Sequence, residues 1–220
     1  MKTLVKYIVG NTYKPLLVKY LSKTRQYTSN GLVLEIPPEV FHPGFFSSTK
    51  LLMNFISRYP LQGKTLLELG AGSGLIAMQA ERNGATATAT DINAIAIAYL
   101  HKNKLRNGSQ IRIIKSDLFA EIPLEAFDLI AINPPYYKKD PHSPGEYAWY
   151  CGKKGEYFEQ LFSALGNYMH ETSVVLMILC DGCDLHMIDG MAMAKGFRMN
   201  RVKESRNLLE NNFIFSIEKR

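Results

Sequence analysis

From Lys64 onward, short apolar runs alternate with longer amphipathic stretches, and the first four runs end in residues that do not belong in a sheet. Thr65 to Leu69, Ala85 to Thr90, Ile111 to Lys115, Asp128 to Ile132 and Ser173 to Leu179 read as strands. Leu75 to Asn83, Ala94 to Arg106 (closed by Asn107-Gly108), Glu156 to Met169 and Leu185 to Lys195 read as the intervening helices. Runs at Phe197 to Glu204 and Asn212 to Glu218, joined by a short polar loop, predict a closing antiparallel hairpin. This alternation constrains the fold more than any other feature. It predicts an α/β chain with a doubly wound, mainly parallel seven-stranded sheet that binds ligands at the carboxyl ends of its strands.

The preceding segment is organised differently. Leu17, Tyr20 and Leu21 recur at helical spacing behind Pro15, and Arg25–Tyr27 and Leu32–Ile36 flank Asn30-Gly31, a strong hairpin signal. After Pro37-Pro38 and His42-Pro43-Gly44, residues Ser48 to Ile56 form an amphipathic helix with Ser47 or Ser48 as its expected cap. Residues 1–58 are therefore expected to be a small helix–hairpin appendage plus leading helix, and 59–220 the main domain, with the boundary near 58–63. The net charge of +6 resides in this appendage: six basic residues, Lys2 to Arg25, precede the first acid, Glu35. Such a face suits an acidic or nucleic-acid partner, or simply water. No run is long and apolar enough to span a membrane and no leader is recognisable, so a cytoplasmic protein is expected, in keeping with three unpaired cysteines. Cys180 and Cys183 have C-x-x-C spacing without a second ligand pair, so no metal is expected there.

The strand tips carry the chemistry. Glu68-Leu69-Gly70-Ala71-Gly72-Ser73-Gly74 joins the first strand to its helix. Its G-x-G-x-G spacing differs from the G-x-G-x-x-G of pyrophosphate sites, and an acid two residues ahead of Gly70 opposes a pyrophosphate but suits a cationic ligand. Asp91, at the second tip, is placed to accept from a ribose diol, with Asn93 left to cap the next helix. Asp117 follows the third strand. The fourth ends in Asn133-Pro134-Pro135-Tyr136. Two prolines stiffen that exit, and the Asn133 amide oxygen with a nearby backbone carbonyl could accept both hydrogens of a planar –NH2 group beneath the Tyr136 ring.

Asn133-Pro134-Pro135-Tyr136 resembles the NPPY signature of class I S-adenosylmethionine-dependent methyltransferases that act on planar nitrogens, namely HemK-type enzymes on protein glutamine and N6-adenine enzymes. The Glu68–Gly74 turn resembles motif I of that class, and the fold implied is its Rossmann-like sheet. The resemblance implies S-adenosyl-L-methionine as cofactor, held by Phe46, Thr49, Glu68, Gly70, Ala71, Gly72, Gly74, Asp91, Ile92, Asp117, Leu118 and Asn133, with Asp117 at the adenine edge. It assigns the acceptor nitrogen to Asn133, Pro134, Pro135 and Tyr136.

A long loop follows Tyr136, and its Ala148-Trp149-Tyr150-Cys151-Gly152 run resembles the HemK-type segment after NPPY, with Lys153 and Lys154 where that segment carries an acid. Four lysines in this loop would also suit nucleic-acid phosphates. The expected partner is thus a protein glutamine, slightly favoured, or an adenine in RNA or DNA. A non-catalytic RNA- or protein-binding module on the same fold is the alternative from another class.

Overall fold

The structure, a computed structural model, describes residues 19–206 and 210–220. Lys2, Lys6, Lys14 and the start of the helix expected around Leu17 lie outside the described residues. A hairpin comes first: β1 (Arg25–Ser29) pairs with β2 (Leu32–Ile36) in register from Arg25 against Ile36. Asn30 and Gly31 both take positive φ, 49° and 75°, the backbone that a two-residue hairpin turn demands. Helix α1 (Ser47–Ile56) follows. The alternating part then runs β3 (Thr65–Leu69), α2 (Leu75–Arg82), β4 (Thr86–Asp91), α3 (Ala94–Asn107), β5 (Arg112–Lys115), β6 (Leu129–Ile132), α4 (Glu156–Leu165), β7 (Val174–Cys180), α5 (Leu185–Ala194), β8 (Phe197–Arg206) and β9 (Asn211–Lys219).

Seven strands form one sheet in the order β5-β4-β3-β6-β7-β9-β8, with β9 antiparallel to both neighbours and the rest parallel. The chain winds outward through β3, β4 and β5, then returns to β6 beside β3. That reversal opens a crevice at the carboxyl ends of β3 and β6. Register sets the tips level, since Leu69 lies opposite both Thr90 and Ile132.

Alternate side chains feed two cores. Leu66, Leu129 and Ala131 join one hydrophobic cluster, and Leu67, Ile130 and Ile132 join the other, as the period of a strand buried on both faces requires. The first cluster also takes in Leu32, Leu34 and Ile36 of β2, each at most 2% exposed. The free edge of β2 is closed by a helix. Asn103 Oδ1 accepts from Glu35 N at 2.7 Å while its Nδ2 donates to Glu35 O at 3.1 Å. Asn107, one turn later, does the same with Val33 N and O at 2.8 and 2.9 Å. Two asparagines thus take the place of a neighbouring strand, and the hairpin shares a hydrophobic cluster with the sheet.

Two local expectations are corrected. The cap position of α1 is Phe46, which makes no side-chain capping bond; Ser47 and Ser48, expected to cap, point elsewhere. Helix α4 ends at Leu165 and passes into a 3-10 turn over Gly166–Tyr168 instead of running to Met169. Among the described residues no helix is long and apolar enough to cross a membrane.

Candidate active site

The β3–α2 loop lies across the end of β4. Ala71 N donates to Thr90 O at 2.7 Å and Gly72 N to Asp91 Oδ2 at 2.8 Å. Gly72 takes φ 53°, and a Cβ there would stand 3.4 Å from Val40. Gly74, at φ 79°, has a different duty: a Cβ would meet Leu100 at 2.5 Å and Met78 at 2.9 Å, so glycine is needed where α2 packs on α3. Having no side chain, Gly74 leaves α2 without a local cap. Glu68 supplies one from the strand, its Oε2 accepting from Ala77 N at 2.8 Å. Glu68 is 5% exposed, and burial pushes its carboxyl up to about 8, against the pull of those helix amides. Asp91 Oδ1 accepts from Asn93 N at 2.9 Å; burial raises this carboxyl too, while backbone N–H groups restrain it.

Asn93 caps α3, as expected, through Ile95 N at 2.9 Å. Its Nδ2 also donates to Glu39 O at 3.0 Å and Pro144 O at 3.2 Å, which ties the β4 tip to the segment before α1 and to the long loop. That loop folds back as a lid. Tyr136 N and Tyr137 N both donate to Trp149 O, at 3.2 and 2.9 Å. Phe41, Phe46 and Trp149 pack as a trio, with Trp149 edge-on to Phe46 at 5.1 Å. Three of its lysines face carboxylates: Lys138 with Asp184 at 2.8 Å, Lys139 with Glu146 at 3.3 Å and Lys153 with Asp140 at 2.8 Å.

Beneath the lid is a cleft of about 400 Å³ at the β3/β6 crevice. Glu68, Gly70, Ala71, Gly72, Asp91 and Ile92 line this cleft, and Asp117, Leu118, Thr49, Asn133, Pro134, Pro135 and Tyr136 line the same cavity. Two expected cofactor contacts do not. Phe46 is engaged in the aromatic trio, and Gly74 lies in the α2–α3 contact. Phe41 faces the cleft in place of Phe46, and Val40, Tyr147 and Tyr157 join it. Nothing in their local pattern marks these residues. The Tyr157 phenol is raised by burial, with Asp91 and Asp117 adding to the effect.

At the far end, Asn133 Nδ2 donates to Ser48 Oγ at 3.3 Å and Thr49 Oγ1 at 3.1 Å. Burial lifts the pKa of the Tyr136 hydroxyl, with the nearby Cys180 thiol adding to the effect. Cys180 and Cys183 are free thiols with Sγ atoms 3.8 Å apart; the Cys183 hydrogen bond brings Cys180 down to about 7. Among the described residues no group of three or more His, Cys, Asp or Glu is placed to hold a metal ion.

Comparison with known proteins connects this geometry to an activity. The family described as "Methyltransferase small domain" matches residues 36–145, half of the chain. A Methanocaldococcus jannaschii protein, provisionally named a protein N5-glutamine methyltransferase, is 32% identical over 157 residues, covering 67% of this chain and 76% of that one. The ribosomal protein L11 methyltransferase of Thermus thermophilus is 34% identical over 46% of this chain and 40% of its own length. A tRNA1(Val) (adenine(37)-N6)-methyltransferase of Shewanella loihica is 32% identical over 54% of this chain and 53% of its own. The chain spans about half or less of these last two. Among solved structures, a methyltransferase from Pyrococcus furiosus superposes with a TM-score of 0.65 at 20% identity, over 96% of this chain and 100% of that one. A family match across half the chain, with a relative aligned over two thirds of it, makes the chain a member of the methyltransferase small-domain family, a class I methyltransferase that uses S-adenosylmethionine.

Proposed function

We propose that the chain methylates the side-chain amide nitrogen of a glutamine in a protein. The observation that carries this choice is the pairing of the lid lysines. With Lys138, Lys139 and Lys153 each on a carboxylate, three of the four loop lysines already have an acidic partner, which leaves less free positive charge in the lid for a phosphate backbone. The glutamine-directed name of the Methanocaldococcus relative points the same way. Adenine N6 in RNA is the second reading, favoured by the Shewanella relative's name and by the basic N-terminal run. Membership in an enzyme family weighs against the non-catalytic module.

The cleft suits the cofactor. Each Asp91 oxygen accepts one backbone N–H and keeps a lone pair for a ribose hydroxyl. Glu68 is a buried acid whose ionisation an adjacent ammonium would favour. Positive φ at Gly70 and Gly72 leaves the loop backbone bare to a ligand.

The bound cofactor supplies an electrophilic methyl carbon on a sulfonium. Asn133 Oδ1 and the Pro134 carbonyl accept the two N–H groups of the acceptor amide, holding its plane while Tyr136 covers one face. So held, the amide nitrogen would direct its lone pair at the methyl group that the cofactor would supply, and one N–H proton would pass to water. Because no strong base is needed before transfer, orientation and electrostatics supply most of the rate.

The test is to incubate the protein with methyl-labelled cofactor and, separately, protein and RNA fractions of a cell extract. Label in protein that acid hydrolysis releases as methylamine is the expected result. Label recovered as N6-methyladenosine would overturn the glutamine assignment.

A further inference from the structure

A primary amide has two N–H donors on one side and a two-lone-pair oxygen on the other, and a half-turn about its last bond exchanges them. In Asn133 that choice decides whether the acceptor nitrogen meets an oxygen or a repelling N–H. Ser48 Oγ and Thr49 Oγ1, at 3.3 and 3.1 Å, both take Nδ2, which accounts for its two hydrogens. We propose that Ser48 and Thr49 are positioning residues: they hold the Asn133 amide with its nitrogen toward α1, so that Oδ1 is presented to the acceptor. The proposal rests on the catalytic reading of Asn133 given above.

A second observation supports it. The free N–H groups of a helix are ordinarily served by the side chain of its N-cap residue, and such a cap contributes about 1 kcal/mol. Helix α1 forgoes that help, with Phe46 at its cap position and no side-chain capping bond. The Ser48 and Thr49 hydroxyls reach across the crevice to Asn133. Thr49 is 7% exposed and lines the cleft, so its contact with Asn133 is shielded from competing water. The distance in sequence is 84 residues, which only the docking of α1 on the β6 tip bridges.

The test compares Ser48→Ala/Thr49→Val, Thr49→Ser and Asn133→Ala with the wild type. Three quantities are read: affinity for S-adenosylhomocysteine by calorimetry, initial methyl transfer into the extract protein fraction at saturating labelled cofactor, and the side-chain ¹⁵N–¹H signals of Asn133. We expect the double variant to lose about 100-fold in transfer rate, the scale of a misoriented reacting group. The rate is read at saturating cofactor, so weaker binding through Thr49 does not count toward that loss, and the Asn133 amide protons should exchange faster with water. Thr49→Ser, which keeps both hydroxyls, should restore rate and signals. A double variant within threefold of the wild-type rate at saturating cofactor overturns the proposal, as do unchanged Asn133 signals. If Asn133→Ala itself keeps turnover, the fault lies in the catalytic reading and not in the orientation of the amide.

Discussion

Replacing Glu68 with glutamine is expected to make the protein more resistant to unfolding at alkaline pH and to change little near pH 5. Glutamine keeps an oxygen for Ala77 N, so the support of α2 survives and only the ability to ionise is lost. In the native protein the Glu68 carboxyl is raised from 4.5 to about 8 by burial, whereas in the unfolded chain it is an ordinary carboxyl. Between those values the folded state holds a proton that the unfolded state has released. Stability from this site is therefore complete below about pH 4.5 and falls as pH climbs toward 8. At 1.36 kcal/mol per pH unit, the full shift corresponds to about 5 kcal/mol, an upper figure because relaxation and water entry lessen burial penalties. Urea denaturation of both proteins at pH 5, 7 and 9 measures the difference between their pH profiles, which removes any constant offset from the substitution. The wild type should lose several kcal/mol relative to Glu68→Gln across that range. Profiles that stay parallel within about 0.5 kcal/mol would refute the claim that Glu68 is protonated beneath the loop.

Asp91→Ala should weaken S-adenosylhomocysteine binding by about 1.5–3 kcal/mol in calorimetry, the usual worth of hydrogen bonds to a charged group. Asn133→Ala should remove turnover while leaving that affinity within about threefold; retained transfer would break the assigned role. Asn103→Ala strands the N–H and carbonyl of Glu35 and a bond to Ser73 O, so a loss of about 2–4 kcal/mol is expected in thermal unfolding. A loss under 0.5 kcal/mol would show that β2 does not depend on the helix for its edge. Iodoacetamide should modify Cys180 with a rate that rises through about pH 7, and Cys183→Ala should move that midpoint upward by removing the thiol hydrogen bond; an unmoved midpoint contradicts the pairing.

Local chemistry explains why so much of this architecture could be read along the chain. Strand period, the left-handed glycines and the Asn93 cap are determined within a few residues, so β3 to β7 and their helices fall where the pattern predicts within a residue or two, α4 excepted. The strand-tip residues were legible too, because an acid or amide after an apolar run has few structural reasons to be there. The packing of Phe46 could not be read along the chain because an aromatic beside a cleft can face either way, and its partner Trp149 is distant in sequence.

The linear order of residues thus determined a parallel sheet with a Glu68–Gly74 turn and polar tips at Asp91, Asp117 and Asn133, since each depends on short-range sterics and hydrogen bonding. Tertiary structure alone decided that Glu68 is buried under α2, that lid lysines face acids, that Asn103 and Asn107 close the hairpin, and that Ser48 and Thr49 take hold of Asn133. Those contacts join segments up to 85 residues apart, and burial and proximity between such segments exist only once the sheet has brought them together.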